Sequence, residues 1–224
     1  QMDDLRAKLG IDKDNIYSGL DSNKESGQLC LNTGYSLQMQ RGKQSASPSI
    51  HIPQSFDRTY PGMMSTQQMF GLVLTEIHRT VPKLAERMVT VSPDVASSTN
   101  LGGWINKAAI WSKQEKEVLP EEDQLRALQW IESPNGQHIE LGISENNLFL
   151  CLGQLGLSQE MFGELLFPIG TLYDPFVRRG LDALVYSVSS GSKFLFVGTP
   201  SGITLSPEGG SHQSLITPSI GIEL

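Results

Sequence analysis

Glu145 closes the segment Gly142-Ile143-Ser144-Glu145 and opens an almost unbroken apolar stretch through Leu148, Phe149, Leu150 and Leu152. A carboxylate drawn into such surroundings needs a partner or a proton to share, because burial penalises its charged form, and a shared proton can do acid–base chemistry. His212, in Glu208-Gly209-Gly210-Ser211-His212-Gln213, is a second candidate, since imidazole titrates near neutrality. Tyr173 and Phe176 offer aromatic faces on which a flat ring could stack, and Asp94 adds a carboxylate after Ser92-Pro93. Each residue also has a plainer reading. An acid in a first helical turn behind an N-cap serine is stabilised by about 0.3–1 kcal/mol without any chemistry. A histidine among glycines fits a surface turn, Asp94 fits an Asx turn, and paired aromatics fit a core.

The elements that must position these residues follow from the hydropathy pattern. Ser65-Thr66-Gln67-Gln68 reads as a capping box, and Met69, Phe70, Val73 and Ile77 at helical spacing predict a helix to about residue 79. Residues 87–91 read as a strand that ends at Ser92-Pro93-Asp94, and Pro120 with the acids after it opens a short helix. Beyond residue 137 a strand (138–142), a helix (144–157), a strand (165–169), a helix (174–188) and a strand (193–198) alternate. Phe194-Leu195-Phe196-Val197 is apolar enough for a strand covered on both faces. The rhythm predicts an α/β fold, a mostly parallel sheet with helices on both faces, and such sheets collect function at the carboxyl ends of their strands. Asp94, Glu145, Tyr173 and the loop leading to His212 all fall there. Residues 1–62, rich in Ser, Gly, Gln and Asn, read as a linker or peripheral extension in which only residues 2–9 have a helical pattern, and residues 63–224 read as the α/β domain.

Composition removes several classes. The net charge of −7, all of its excess lying after residue 62, argues against a nucleic-acid or anionic-membrane partner. No apolar run approaches the roughly 18–20 residues of a membrane span. Cys30 and Cys151 lie far apart, and the apolar flanks of Cys151 predict a buried free thiol, as in a reducing cytoplasmic setting. The four histidines, at 51, 78, 138 and 212, are scattered, and phosphate-loop, dinucleotide-binding, paired-cysteine and nucleophile-elbow motifs are absent, which excludes a zinc site or a serine hydrolase. The arginine pair Arg178 and Arg179 reads as a solvated helix face. A start at glutamine and a stop directly after a motif predict a piece of a longer chain.

Five segments in order resemble the pyrimidine-binding domain of the transketolase and pyruvate dehydrogenase superfamily of thiamine diphosphate enzymes. Residues 91–100 are similar to transketolase Ala-Asp-Leu-Thr-Gly-Ser-Asn, and residues 140–145 to the Glu-Gly-Ile-Asn-Glu of the homodimeric pyruvate dehydrogenase component. Residues 168–176 are similar to that enzyme's Pro-Phe-Tyr-Ile-Tyr-Tyr-Ser-Met-Phe. Residues 199–205 and then 208–213 resemble Thr-Ser-Gly-Arg-Thr-Thr-Leu followed by Gly-Glu-Gly-Leu-Gln-His, although His212-Gln213 is closer to transketolase. The resemblance implies that Glu145 bonds a ring nitrogen of the cofactor's aminopyrimidine and so promotes formation of the thiazolium ylid. Phe176 then stacks on that ring, Tyr173 lines the pocket, His212 faces the reacting carbon, and Asp94 helps at the cofactor or a dimer contact.

The resemblance further implies thiamine diphosphate and Mg2+ as cofactors, with the metal held by a Gly-Asp-Gly motif that this chain lacks. A diphosphate-binding domain and a second copy of the enzyme, as a homodimer, are then expected partners, and the chain by itself is expected to be inactive. The expected reaction is decarboxylation of a 2-oxo acid. The alternatives are transketolase chemistry on sugar phosphates, or a non-catalytic α/β module that dimerises through the helix after Ser144.

Overall fold

The computed structural model describes all residues except 16, 19, 20, 43–48, 57, 115–127, 200–208, 213–216, 218 and 221–224. The chain divides into two compact units, residues 1–47 with 159–164, and residues 48–158 with 165–224. The first contains helices α1 (Met2–Leu9) and α2 (Glu25–Gly42). Gly10, in the left-handed region at φ 64°, ends α1.

The second unit is built on a six-stranded parallel sheet. Along the chain it comprises α3 (Thr66–Thr80), α4 (Pro82–Ala85), β1 (Met88–Ser92), α5 (Gly102–Ala108), β2 (Ile110–Trp111), β3 (Glu132–Ser133), β4 (His138–Glu140), α6 (Glu145–Leu155), β5 (Phe167–Leu172), a 3₁₀ segment (Asp174–Gly180), α8 (Leu181–Ser189) and β6 (Leu195–Gly198), while the short α7 (Ser158–Phe162) falls almost wholly in the first unit. The spatial order is β3-β2-β4-β1-β5-β6. The Ser65 hydroxyl accepts from Gln68 N–H while the Gln68 side chain accepts from Ser65 N–H, the capping box read from the sequence.

Strand alternation divides the core between the two faces of the sheet. Met88 of β1 and Ile169 of β5 pack with Leu74, Leu101, Trp104 and Ile105 under α3 and α5. Val91 and Leu172, each three residues further on and so on the opposite face, pack with Leu148, Phe149, Leu152 and Leu184 under α6 and α8. Gly170 lets α6 lie directly on β5, because a Cβ there would run into Leu152. With every strand parallel, the ends of β1, β4, β5 and β6 emerge on one edge, the edge that carries the candidate residues.

The structure departs from the sequence reading at several points. Residues 25–42 form a helix where only residues 2–9 showed a helical pattern, and α5 stands where the chain read as irregular. The predicted helix over 174–188 begins as a 3₁₀ segment and becomes α-helical only at Leu181. β6 is an edge strand, with no strand on its outer side among the described residues, and its side chains are not covered: Leu195 is 63% exposed. Cys151 is half-buried and unbridged, and burial pushes its thiol up; Cys30 is exposed. The helix read at Pro120 lies outside the described residues. No helix among the described residues is long and apolar enough to cross a membrane.

Candidate functional site

At the end of β4 the chain turns through Gly142, at φ 67°, and enters α6 with Glu145 as its first residue. The Ser144 side chain makes no capping bond, so the plain N-cap reading of this turn does not describe it. Glu140 organises the turn instead. Its Oε1 accepts from Gly142 N–H (3.2 Å) and from Asp94 N–H (2.7 Å), tying the exits of β1 and β4 together. Asp94 itself has φ 65°, a conformation that Asp tolerates better than most residues.

Behind Glu140 lies a buried polar chain. Trp104 Nε1–H donates to Thr90 Oγ1 (2.9 Å), Thr90 Oγ1 lies 2.8 Å from His138 Nδ1, and His138 Nε2 lies 3.6 Å from Glu140 Oε2. His138 Nε2 is buried without a hydrogen bond among the described residues, and it faces that carboxylate.

Glu145 is 7% exposed, and its Oε1 accepts from Arg179 Nη1 at 3.2 Å. The Arg179 guanidinium also lies 3.9 Å from the centroid of the Phe176 ring, a cation–π contact. Gly180 makes this possible, since a Cβ there would strike Phe149 and the Glu145 carbonyl; its absence lets the end of the 3₁₀ segment cross the first turn of α6. Phe176 and Tyr173 lie nearly parallel, 17° apart with centroids at 6.1 Å. His212, half-buried in the turn Gly210–His212, sets its ring edgewise to Phe176 (5.0 Å) and to Tyr173 (6.2 Å). Between the aromatics, burial pushes the Asp174 carboxyl up while Arg178 pulls it partly back, and its Oδ2 has no hydrogen-bond partner.

Four of the five residues singled out from the sequence thus form one cluster at the carboxyl edge, with Arg179 joining Glu145 to the aromatic group. Asp94 stands with Glu140 at the neighbouring strand ends. Arg179, read as solvated, is the missed member; Phe176 and Arg179 are three apart, a spacing that puts two side chains of a helical turn on one face. Glu140 was also missed, and in the sequence it resembles any strand-end acid.

The set can hold a flat, nitrogen-rich ring: a buried carboxylate for its edge, an aromatic face for its plane, and an imidazole beside it. The planar guanidinium of Arg179 already makes both of the first two contacts. Among the described residues no group of three or more His, Cys, Asp or Glu could hold a metal ion.

No protein-family model matches the chain. Over 137 residues it is 26% identical to the pyruvate dehydrogenase E1 component of Corynebacterium glutamicum, which covers 60% of this chain and 15% of that protein. The chain therefore spans less than a fifth of the curated relative it matches. Its fold is similar to transketolase from Leishmania mexicana, with a TM-score of 0.56 and 16% identity over 92% of this chain and 26% of that one. It is also similar to transketolase from Campylobacter jejuni, with a TM-score of 0.50 and 15% identity over 69% of this chain and 19% of that one.

Proposed function

We propose, from its partial similarity to a pyruvate dehydrogenase E1 component and its transketolase-like fold, that the chain is the pyrimidine-binding part of a thiamine diphosphate enzyme that decarboxylates a 2-oxo acid. The observation that carries the reading is the packing of the Glu145 carboxylate and the Phe176 ring around one planar nitrogen group. Thiamine diphosphate, when bound, supplies a thiazolium carbon that acts as the nucleophile toward the 2-oxo acid. Glu145 holds a proton against a ring nitrogen of the aminopyrimidine, and its burial keeps water from competing for that proton. Phe176 stacks on the ring and Tyr173 walls the pocket.

His212, edge-on to both aromatics, moves protons or stabilises charge at the substrate oxygen. Glu140 fixes the two turns that carry Asp94 and Glu145, and Asp94 serves at the cofactor or a subunit contact. The diphosphate and Mg2+ are held by a partner domain of the longer enzyme, residues 1–62 serve as a linker or peripheral extension, and the enzyme works as a homodimer. Ile143 and Leu150 beside Glu145, exposed by 78% and 43%, support the subunit contact.

The test compares the full-length protein with its Glu145→Gln variant. Wild type is expected to consume pyruvate, and the variant to retain thiamine diphosphate binding within a few-fold while losing roughly 10²-fold or more in turnover, the scale of a lost acid–base group. Ketol transfer between sugar phosphates without pyruvate turnover would replace the 2-oxo acid by the transketolase substrates. Full activity in Glu145→Gln would remove Glu145 from the chemistry.

A further inference from the structure

Arg179 makes the two contacts that the reading above reserves for the cofactor ring: its guanidinium lies over Phe176 at 3.9 Å and it donates to the Glu145 carboxylate at 3.2 Å. Both cannot be kept when a pyrimidine arrives. Glu145 is 7% exposed and offers little room for a second partner, whereas the Arg179 side chain is 53% exposed and has a route to solvent.

We infer that Arg179 is an internal stand-in for the aminopyrimidine, which satisfies Glu145 and Phe176 in the unliganded protein and must swing out before the cofactor can seat. It keeps the buried carboxylate from standing unpaired, a condition that costs more than the pair itself contributes, and it sets a threshold for loading. Gly180 is part of the device, because it brings the arginine's backbone against the first turn of α6. The inference rests on the reading of this cluster as a pyrimidine site, and it adds a displaced resident to it.

The test is calorimetric and stopped-flow binding of thiamine diphosphate with Mg2+ to the full-length protein, as wild type, Arg179→Met, Arg179→Lys and Arg178→Met. Arg179→Met is expected to bind roughly tenfold tighter, the size of one part-exposed ion pair plus one cation–π contact, with most of the gain in the association rate. Arg179→Lys, which keeps the charge but loses the planar fork, is expected to show a smaller gain in the same direction, and it carries the test should the methionine variant not fold. Arg178→Met is expected to leave binding unchanged. Equal or weaker binding in the Arg179 variants beside a wild type that binds overturns the stand-in and leaves the pyrimidine reading standing. An equal gain in Arg178→Met reduces the effect to net charge and also overturns the stand-in. No binding by any of the proteins overturns both.

Discussion

Two buried carboxylates, Glu76 and Glu145, are each met by arginine, with different consequences. Glu76, 3% exposed on α3, is bonded by Arg79 one turn on and by Arg58 at 3.2 Å, and Arg58 also lies over the Tyr60 ring. The Arg79 hydrogen bond first, and Arg58 after it, hold the Glu76 carboxyl below its ordinary value of 4.5. A lowered folded value stabilises the fold above the unfolded value, and that contribution is lost as pH falls through the folded one. Hydrogen exchange should therefore show residues 58–62 loosening from α3 below about pH 4.5, and Glu76→Gln should remove that acid step; an unchanged step would remove Glu76 as its source. The Arg79 partner of Glu76 follows from helical spacing, but the Arg58 partner and the Arg179 partner of Glu145 do not. Glu76 sits on a helix whose pattern places it beside the core, and its partner Arg58 is 18 residues away. Arg179 could have been found from its spacing to Phe176, but Glu145 is 34 residues from it, and only the fold brings the two together. Glu145, Tyr173, Phe176 and His212 each had an ordinary local reading, and it was the order of the five family-like segments that grouped them; the structure places the four side by side.

Glycines decide how the elements that hold the site approach one another. Gly170 admits α6 onto β5, and Gly180 admits the 3₁₀ segment onto the start of α6. Gly180→Ala should cost about 1–3 kcal/mol in urea unfolding through overpacking against Phe149, and it should part Arg179 from Glu145. Wild-type stability in that variant would show that the crossing is looser than the packing implies. The strand β1 and the helices α3 and α6 were legible because their apolar spacing reports the face that they bury, whereas β4 buries His138 and leaves Ile139 half-buried. α2 was not, since nearly every described side chain between residues 25 and 36 is exposed and so leaves no stripe to read. α5 was hidden by Gly102-Gly103, although Trp104 and Ile105 behind them are fully buried. In β6 the run Phe194-Leu195-Phe196-Val197 carried a two-face signal, yet the strand lies at the sheet edge with Leu195 and Phe196 open. Hydropathy records what a segment tends to bury, and a neighbouring strand decides whether it does.

The stretch matched to the pyruvate dehydrogenase relative covers 15% of that protein's length, and the proposed site is one that further protein would complete. The proposed division of labour gives this part the acid, the stacking face and the imidazole, and gives the metal and the diphosphate to another domain. The negative charge that dominates after residue 62 fits this division, because a carboxylate-rich edge is a poor holder of phosphates without a cation. Apolar side chains left open at the start of and along α6, Ile143 and Leu150, are where a second subunit is proposed to pack. The central claim is that the Glu145 and Phe176 cluster receives a pyrimidine ring. Its most direct test is isothermal titration of thiamine diphosphate with Mg2+ into the full-length protein and its Phe176→Ala variant. The account predicts saturable binding that the variant weakens roughly tenfold, the size of a lost ring stack; binding that Phe176→Ala leaves untouched, or no binding in wild type, would contradict it.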